Sequence, residues 1–215
     1  MMRESEIRKR IKERFNASYD NVANLASDKF LYLELEKYFA QHPGAFDETS
    51  QELFSFVKKS FVNLSIIYVS REIDTRHDSH SFVNLLRDID KNYKIFKLSW
   101  FLRRYPKWMR ENAKQDFKQF STKNWILSRR SIRNDQKEII NAIKDIRKYR
   151  HKRLAHLEIR QRQFKTTIQQ MFDAIDLLEI KILKYNILIN QSGMSTLVPS
   201  NLSTDFGRVF KWGRL

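Results

Sequence analysis

Apolar residues recur three or four positions apart along most of this chain, the spacing that places side chains on one face of an α-helix. The longest such run extends from residue 164 to residue 189. Its members are Phe164, Ile168, Met171, Ile175, Leu178, Ile182, Tyr185 and Ile189. This run predicts a long helix whose apolar seam packs in a bundle core or at a subunit interface. We expect core packing here, and no contact with a cofactor.

The same spacing in other segments predicts the remaining helices. They cover residues 3–41 (as one helix or two), about 49–74, about 81–91, two short stretches separated near Pro106, and a long stretch from about residue 133. The segment "HPGAFD" (42–47) interrupts the pattern with adjacent Pro and Gly. Thr49 with Glu52 then forms a capping-box signature, which we expect to start the second helix.

Turn-forming residues are scarce, which favours long helices over strands. The 215 residues include only 4 Gly and 3 Pro, and strand-rich folds use both types in their tight turns. We therefore predict an all-α protein with a single helical domain over residues 1–190. The tail, 191–215, ends in a cluster of Phe206, Phe210, Lys211 and Trp212. We expect this tail to be flexible or to dock on the body, a partner or a second subunit.

The composition also bears on the compartment. The chain has no cysteine, which excludes disulfides and thiolate metal sites and favours a reducing environment. The first residues, "MMRESEIRKR", are charged where a secretory signal needs an apolar segment. No apolar run approaches the roughly 20 residues of a membrane span. We expect a cytoplasmic protein that is not in a membrane.

Positive charge is concentrated in one third of the sequence. The formal net charge is +16, and residues 97–165 hold 21 basic and 6 acidic side chains, whereas residues 1–96 hold 15 of each. Repulsion within such a segment destabilises a fold unless a polyanion offsets it. This pattern favours a nucleic acid as partner. An acidic protein or an anionic membrane surface is the alternative.

Arg150 lies in the apolar arc of the long helix predicted from about residue 133. At about 100° per residue, that arc also holds Ile139, Ile143, Ile146, Leu154 and Leu157. An arginine among core positions must be paired, extend to solvent or meet an anion at an interface. His156 lies about 120° around the helix from Arg150. The two side chains therefore converge only if the helix bends or two copies meet at a two-fold axis.

An arginine with a histidine has the chemistry needed to cut RNA without a metal. An imidazole titrates near neutral pH and can move a proton on or off a ribose hydroxyl or a leaving oxygen. A guanidinium can hold the scissile phosphate through two hydrogen bonds and stabilise its developing charge. The alternative is a solvated basic helix face on which the histidine is incidental.

The segment "RHKRLAH", from Arg150 to His156, resembles the R-x(4–6)-H motif of HEPN-domain ribonucleases. The wider chain, over roughly residues 25–190, is similar to the abortive-infection (Abi U type) branch of HEPN-like proteins. Two blocks carry this similarity: "YVSREIDTRHDSHSFVNLLRDI" (68–89) and "IRKYRHKRLAHLE" (146–158). The resemblance implies an all-α bundle, commonly a homodimer with two motifs facing each other across a shared basic cleft.

Family members are commonly metal-independent endoribonucleases of toxin–antitoxin, phage-defence or RNA-processing systems. Carried onto this sequence, the resemblance implies that Arg150 binds and polarises phosphate, His156 transfers protons, and His151 orients or assists. Some HEPN toxins have a tyrosine two positions after the motif histidine, which a partner nucleotidyltransferase modifies. This chain has Glu158 there, so we do not expect that mode of regulation.

Further cations are predicted to contact RNA. They are Arg103, Arg104, Arg129, Arg130, Arg147, Lys152, Arg153 and Arg160. Within "SREID" (70–74), Arg71, Glu72 and Asp74 are candidates to line the cleft and order the Arg–His pair. Ordinary ion pairing on the helix surface explains these three residues equally well.

Aromatic residues alternate with cations in "SWFLRRYPKW" (99–108). Trp100, Phe101, Tyr105 and Trp108 suit stacking on unpaired bases, and they suit a helix core with a basic outer side equally well. The loop "DTRHDSH" (74–80) has residue types that bind metals, but no second cluster completes a coordination sphere. We expect no metal and no other cofactor.

The sequence therefore leads to an endoribonuclease hypothesis, in phage defence or as a toxin. The alternative is a helical protein that binds RNA or a toxin partner without turnover. A third possibility is a toxin-neutralising protein that associates through its tail or the 164–189 seam. The expected partners are RNA, a second copy in a homodimer, and an antitoxin or regulatory protein.

Overall fold

The computed structural model describes residues 3–42, 47–151 and 167–202. Within these ranges the chain is an all-α helical bundle without a β-strand, which confirms the predicted fold class. The helices are α1 (Glu4–Gln41), α2 (Glu48–Arg71), α3 (Phe82–Lys91), α4 (Leu98–Leu102), α5 (Arg110–Lys118), α6 (Arg129–Tyr149) and α7 (Ile168–Asn190). Two single-turn 3₁₀ helices, Tyr93–Ile95 and Lys107–Met109, flank α4.

The helix α1 is one unbroken element of 38 residues, about 57 Å long at the usual rise per residue. It contains no Gly or Pro, and at its start the Arg3 N–H donates to the Glu6 carboxylate. It runs antiparallel to α7: Lys29, in the second half of α1, pairs with Asp176 in the first half of α7, and Ile11 near the start of α1 lines a cavity with Ile189 near the end of α7. Phe15 and Val22, on the inner face of α1, are completely buried.

The second helix begins two residues earlier than the capping box predicts. Its N-cap is Asp47, whose carboxylate accepts from the Ser50 N–H at 2.8 Å. The prediction of Thr49 as the starting residue is therefore wrong, because an ionised aspartate is at least as good a cap as a threonine. The helix ends at Arg71, three residues before the predicted end at about residue 74.

Side-chain caps also set the starts of three later helices. Ser81 caps α3, Ser128 caps α6, and Thr167 forms a capping box with Gln170 at the start of α7. The Ser128 cap starts α6 at Arg129, four residues before the start predicted from the apolar pattern. The break near Pro106 is where predicted, between α4 and the 3₁₀ turn that leads into α5.

Buried ion pairs join α6 to α7. The Asp135 carboxylate accepts from Lys181 at 2.8 Å, from Lys184 at 2.6 Å and from the Tyr185 hydroxyl at 3.0 Å. Burial raises the pKa of the Tyr185 hydroxyl well above its usual value, and the negative charge of Asp135 raises it further. This cluster fixes the antiparallel register of the two helices.

The first part of the predicted tail, residues 191–202, packs on the body. Gln191 ends α7 in the left-handed region, with a φ of 60°. Leu197 is buried in the core, and its N–H donates to Glu179 on α7 at 2.7 Å. The aromatic and basic cluster of Phe206, Phe210, Lys211 and Trp212 lies outside the described residues.

One described helix, α2, has the length and mean apolar character of a membrane span. Only 28% of that stretch is buried in the bundle, and a single helix that passes this test is weak evidence for a membrane span. Nothing in the described part of the chain argues for a membrane protein.

Candidate nucleic-acid interface

Arg150 lies at the C-terminal end of α6, where the predicted apolar arc reaches the surface. Ile139, Ile143 and Ile146 are buried, as their spacing predicts. Arg150 is half-buried, and residues 150 and 151 adopt a wider, π-type turn after Tyr149. Turns of this type recur at functional sites. The Arg150 N–H donates to the Ile146 and Arg147 carbonyls, and its guanidinium makes no hydrogen bond or ion pair within the described ranges.

The other half of the motif lies outside the described residues. This applies to His156 and to three predicted RNA contacts, Lys152, Arg153 and Arg160. His151 is described and is exposed at the end of α6. The convergence of Arg150 with His156 therefore stays a prediction.

The end of α6 lies beside the segment that follows α2. The Arg147 guanidinium is 3.5 Å from the Ile73 carbonyl oxygen. Burial alone would raise the pKa of the Asp74 carboxyl. Hydrogen bonds from Arg76 and the charges of Arg76 and Arg147 outweigh burial, so the pKa of Asp74 is lowered. The structure thus brings the "SREID" block and the "RKYRH" block to the same end of the bundle.

Glu72 points into the bundle instead of lining this surface. Its carboxylate is fully buried and accepts from the Asn21 side-chain amide at 2.5 Å and from the Phe82 N–H at 2.9 Å. Burial raises its pKa to about 7, against the opposing effect of these hydrogen bonds. Arg71, by contrast, is exposed, and its guanidinium has no hydrogen-bond partner in the described chain. Only Arg71 and Asp74 of this trio are placed to reach a ligand.

Adjacent arginines at the start of α6 have different roles. Arg129 forms two hydrogen bonds with Asp90 on α3, at 2.8 and 3.1 Å, and Arg133 binds the same carboxylate. The hydrogen bond from Arg129, the largest effect, lowers the pKa of Asp90, although burial opposes it. Arg130 is exposed, without a carboxylate partner among the residues the structure describes. Of the predicted pair, Arg130 is therefore the more available to a phosphate.

Arg103 and Arg104 differ in the same way. Arg103 is exposed, whereas the Arg104 guanidinium donates to the Leu188 and Ile189 carbonyls at the end of α7, at 3.1 and 2.6 Å. It also lies 4.7 Å from the centre of the Trp100 ring. Burial lowers the pKa of Arg104, and the positive charge of Arg8 lowers it further. Arg104 therefore caps α7 and contributes to a positive cluster.

The four aromatic residues of "SWFLRRYPKW" divide between the two roles that the sequence left open, packing in the helix core and stacking on unpaired bases. Phe101 is completely buried, and Trp100 and Tyr105 are half-buried against the core. Trp108, in the 3₁₀ turn before α5, is 80% exposed. Only Trp108 of the four presents its ring for stacking on an unpaired base.

Sequence reasoning missed three cations on α1. Arg8, Lys9 and Lys12 line a cavity of about 380 Å³ together with Arg104, above an apolar floor that includes Trp100. Arg8 is held by the Ile95 carbonyl at 3.0 Å and by Glu4. Because residues 1–96 have no net charge, the charge distribution along the chain gave no signal for this cluster.

The described residues include no group of three or more His, Asp or Glu side chains placed to hold a metal ion. Comparison of the chain with protein-family models, with curated proteins and with solved structures finds no match.

Proposed function

We propose that this chain is a metal-independent endoribonuclease of the HEPN type, acting in phage defence or as the toxin of a toxin–antitoxin pair. The observation that carries the proposal is Arg150, half-buried at a helix end in the most basic part of the chain, with no carboxylate partner in the described ranges. A guanidinium in that position is available to an anion, and RNA phosphate is the anion that this charge distribution attracts. The expected compartment is the cytoplasm.

In this proposal Arg150 holds the scissile phosphate and stabilises its negative charge. The ribose 2′-oxygen attacks phosphorus while the bond from phosphorus to the 5′-oxygen breaks. The products are a 2′,3′-cyclic phosphate and a free 5′-hydroxyl. The proton leaves the 2′-hydroxyl and the 5′-oxygen gains one, and His156 moves protons in this exchange with His151 assisting. This cleavage reaction needs no oxidant and no metal.

RNA binding has support of its own. Three exposed cations, Arg103, Lys107 and Arg130, have no carboxylate partner in the described chain. The exposed Trp108 directly follows Lys107 in the sequence, just before α5. This observation also favours the second candidate, a protein that binds RNA without cutting it. Both candidates predict salt-sensitive binding, so binding alone does not separate them.

The test is an incubation of the purified protein with mixed transfer and messenger RNA in excess chelator. Wild type, His156→Ala and Arg150→Ala are compared, with RNA binding measured in parallel. The endoribonuclease predicts cleavage by wild type, its loss in both variants, and binding that is retained in His156→Ala but weakened in Arg150→Ala. A 2′-deoxy substrate should bind and stay intact.

Two outcomes would contradict the proposal. Equal faint cleavage by wild type and His156→Ala would indicate contamination and favour the RNA-binding protein. Cleavage that requires an added metal would mean that Arg150 and His156 are the wrong residues.

A further inference from the structure

A cavity of about 380 Å³ lies where the start of α1 meets the end of α7. Its floor is apolar and is formed by Ile11, Phe96, Trp100 and Ile189. The Phe96 and Trp100 rings meet edge to face, with their centres 5.3 Å apart. A volume of this size with a mainly apolar lining is typical of sites that bind small organic molecules.

The polar part of the lining is almost entirely cationic. The positive charges come from Arg8, Lys9, Lys12 and Arg104, and the remaining polar residue is Ser5. No Asp or Glu belongs to the lining in the described chain. A ligand that suits this cavity therefore combines an apolar body with negative charge.

Carboxylates outside the cavity pair with two of its four cations. The Arg8 guanidinium is 3.1 Å from the Glu4 carboxylate, and the Lys9 ammonium is 4.0 Å from Glu13. In both pairs the partners are one helical turn apart on α1 and the carboxylate is exposed, so the pairs contribute little to stability. They leave two positive charges in excess at the cavity.

The other two cations, Lys12 and Arg104, form no ion pair in the part of the chain that the structure describes. Two of the N–H groups of Arg104 donate to backbone carbonyls of α7, and a guanidinium has further N–H groups for a ligand. Two uncompensated positive charges match a phosphate monoester, which carries nearly two negative charges at neutral pH. Each phosphodiester of an RNA backbone carries only one.

Both guanidinium groups are held in place by the fold itself. Arg8 donates to the Ile95 carbonyl at 3.0 Å, and Arg104 donates to two carbonyls at the end of α7. The two groups lie beside the same indole, 5.5 and 4.7 Å from the centre of the Trp100 ring. They are close enough that the charge of Arg8 disfavours that of Arg104. An anion between them would relieve this repulsion, and donors that are already ordered lose little entropy on binding.

We propose that this cavity binds a small phosphate monoester with a flat apolar ring, the chemistry shared by mononucleotides and phosphorylated aromatic metabolites. The phosphate lies at the mouth, between Lys12 and Arg104. The ring lies on the floor against Phe96 and Trp100, where aromatic contacts favour flat partners. Because the floor has no polar side chain to read the edge of a base, the site recognises this class of molecule and not one particular base.

The cavity is remote from Arg150. Ile146, one turn before Arg150, lines a groove with Gln170 near the start of α7, whereas the cavity includes Ile189 near the end of that helix. The helix between Gln170 and Ile189 is about 28 Å long at the usual rise per residue. The cavity is therefore separate from the candidate nuclease site, and the proposal does not depend on ribonuclease activity.

Calorimetric titration of the full chain with phenyl phosphate, a monoester with one apolar ring, tests the proposal. We expect saturable binding at one site per chain, at least about tenfold tighter than that of inorganic phosphate or of phenol, since each of these offers half of the recognition. Methyl phenyl phosphate, a singly charged diester, should bind more weakly by a similar factor. Tighter binding of uridine 5′-monophosphate than of phenyl phosphate would identify a nucleotide as the natural ligand, and the reverse order would identify a phosphorylated aromatic metabolite.

Charge reversal at the mouth locates the site. Lys12→Glu should weaken phenyl phosphate binding by roughly tenfold or more and leave thermal unfolding unchanged, because Lys12 is exposed. Lys59→Glu makes the same change in net charge at an exposed position of α2 outside the cavity, and it should bind as wild type does. Arg150→Ala should also bind phenyl phosphate normally.

Three outcomes would overturn the proposal. The first is no saturable binding of phenyl phosphate at millimolar concentration, or equal binding by wild type and Lys12→Glu. The second is equal affinity for the monoester and the diester, which would assign the cavity to the RNA backbone. The third is loss of binding in Arg150→Ala but not in Lys12→Glu, which would assign the phosphate to the candidate nuclease site. RNA cleavage is measured separately, so these outcomes are distinguishable from failure of the endoribonuclease proposal.

Discussion

Asn21 on α1 donates its side-chain amide to the buried carboxylate of Glu72 at the end of α2, 2.5 Å away. The other carboxylate oxygen accepts from the Phe82 N–H, at the start of α3. One acidic side chain therefore joins three helices, directly beneath the surface that carries Arg71 and Arg147. Its protonation state bears on both the stability and the geometry of that end of the bundle.

The first prediction concerns the pH dependence of stability. Burial raises the pKa of Glu72 to about 7 from 4.5, so the folded state keeps a proton that the unfolded chain loses at lower pH. The free energy of unfolding should therefore fall as pH rises from about 4.5 to about 7, by at most about 3 kcal/mol, and level off above that. Glu72→Gln should remove this decline and exceed wild type at pH 8, measured by urea denaturation.

Glu72→Gln preserves the hydrogen bonds if the Asn21 amide rotates, because Gln then accepts from Phe82 and donates to Asn21. Glu72→Ala is the contrasting variant. It leaves the Asn21 amide and the Phe82 N–H without this partner and should be destabilised at every pH. Parallel pH curves for wild type and Glu72→Gln would show that folding does not raise the pKa of this carboxyl, and would contradict the prediction.

The second prediction concerns Asp135. Its removal in Asp135→Ala would leave Lys181 and Lys184 without their common carboxylate, at a cost of about 3 kcal/mol at neutral pH. Burial tends to raise the pKa of Asp135, but the two lysines lower it below its usual value. The stabilisation should thus be complete above about pH 4 and decline as pH falls through the lowered folded-state pKa.

Asp145→Ala is the matched control on the same helix, since Asp145 forms an exposed ion pair with Lys148. Exposed pairs contribute little, and chemical denaturation should show no measurable change for this variant. An equal loss in both variants would contradict the assignment of Asp135 as the residue that joins α6 to α7.

The third prediction concerns Trp108. Trp108→Ala should weaken binding of single-stranded RNA by about 5- to 100-fold, the range expected for one lost stacking contact. Its thermal unfolding should be unchanged because the ring is exposed. Trp108→Phe should retain most of the affinity in the same fluorescence-anisotropy titration. If Trp108→Ala binds as wild type does, single-stranded RNA does not contact this turn.

The fourth prediction uses the neighbours Arg129 and Arg130. Arg130→Ala should weaken RNA binding and reduce the slope of log affinity against log salt by about one, because one phosphate contact is lost. Arg129→Ala should change the slope less, since Asp90 already holds that guanidinium. Titrations at several salt concentrations measure both slopes, and a larger effect at Arg129 would contradict this division.

The helices were predictable because apolar spacing and caps are local properties of the sequence. The start of α2 was missed because Asp47 and Thr49 are both good caps, and the sequence contains no measure of which one the surrounding chain favours. Arg103 and Arg104 look alike in the sequence, but in the turn after α4 only Arg104 reaches the α7 carbonyls.

The burial of Glu72 could not be predicted from its neighbours. Its partners, Asn21 and the Phe82 N–H, are 51 residues before it and 10 residues after it. In the sequence, Glu72 lies between the charged residues Arg71 and Asp74, a pattern that indicates a charged surface. Only the assembled bundle brings the three groups together and excludes water from them.

The packing of α1 against α7 also sets the order in which the protein can be made. During synthesis α1 leaves the ribosome before α7, and about 150 further residues separate the end of α1 at Gln41 from the end of its antiparallel partner at Asn190. Until then Phe15 and Val22 have no completed core to enter, and contacts this distant in sequence form slowly. The core between α1 and α7 can therefore form only after α7 has been translated.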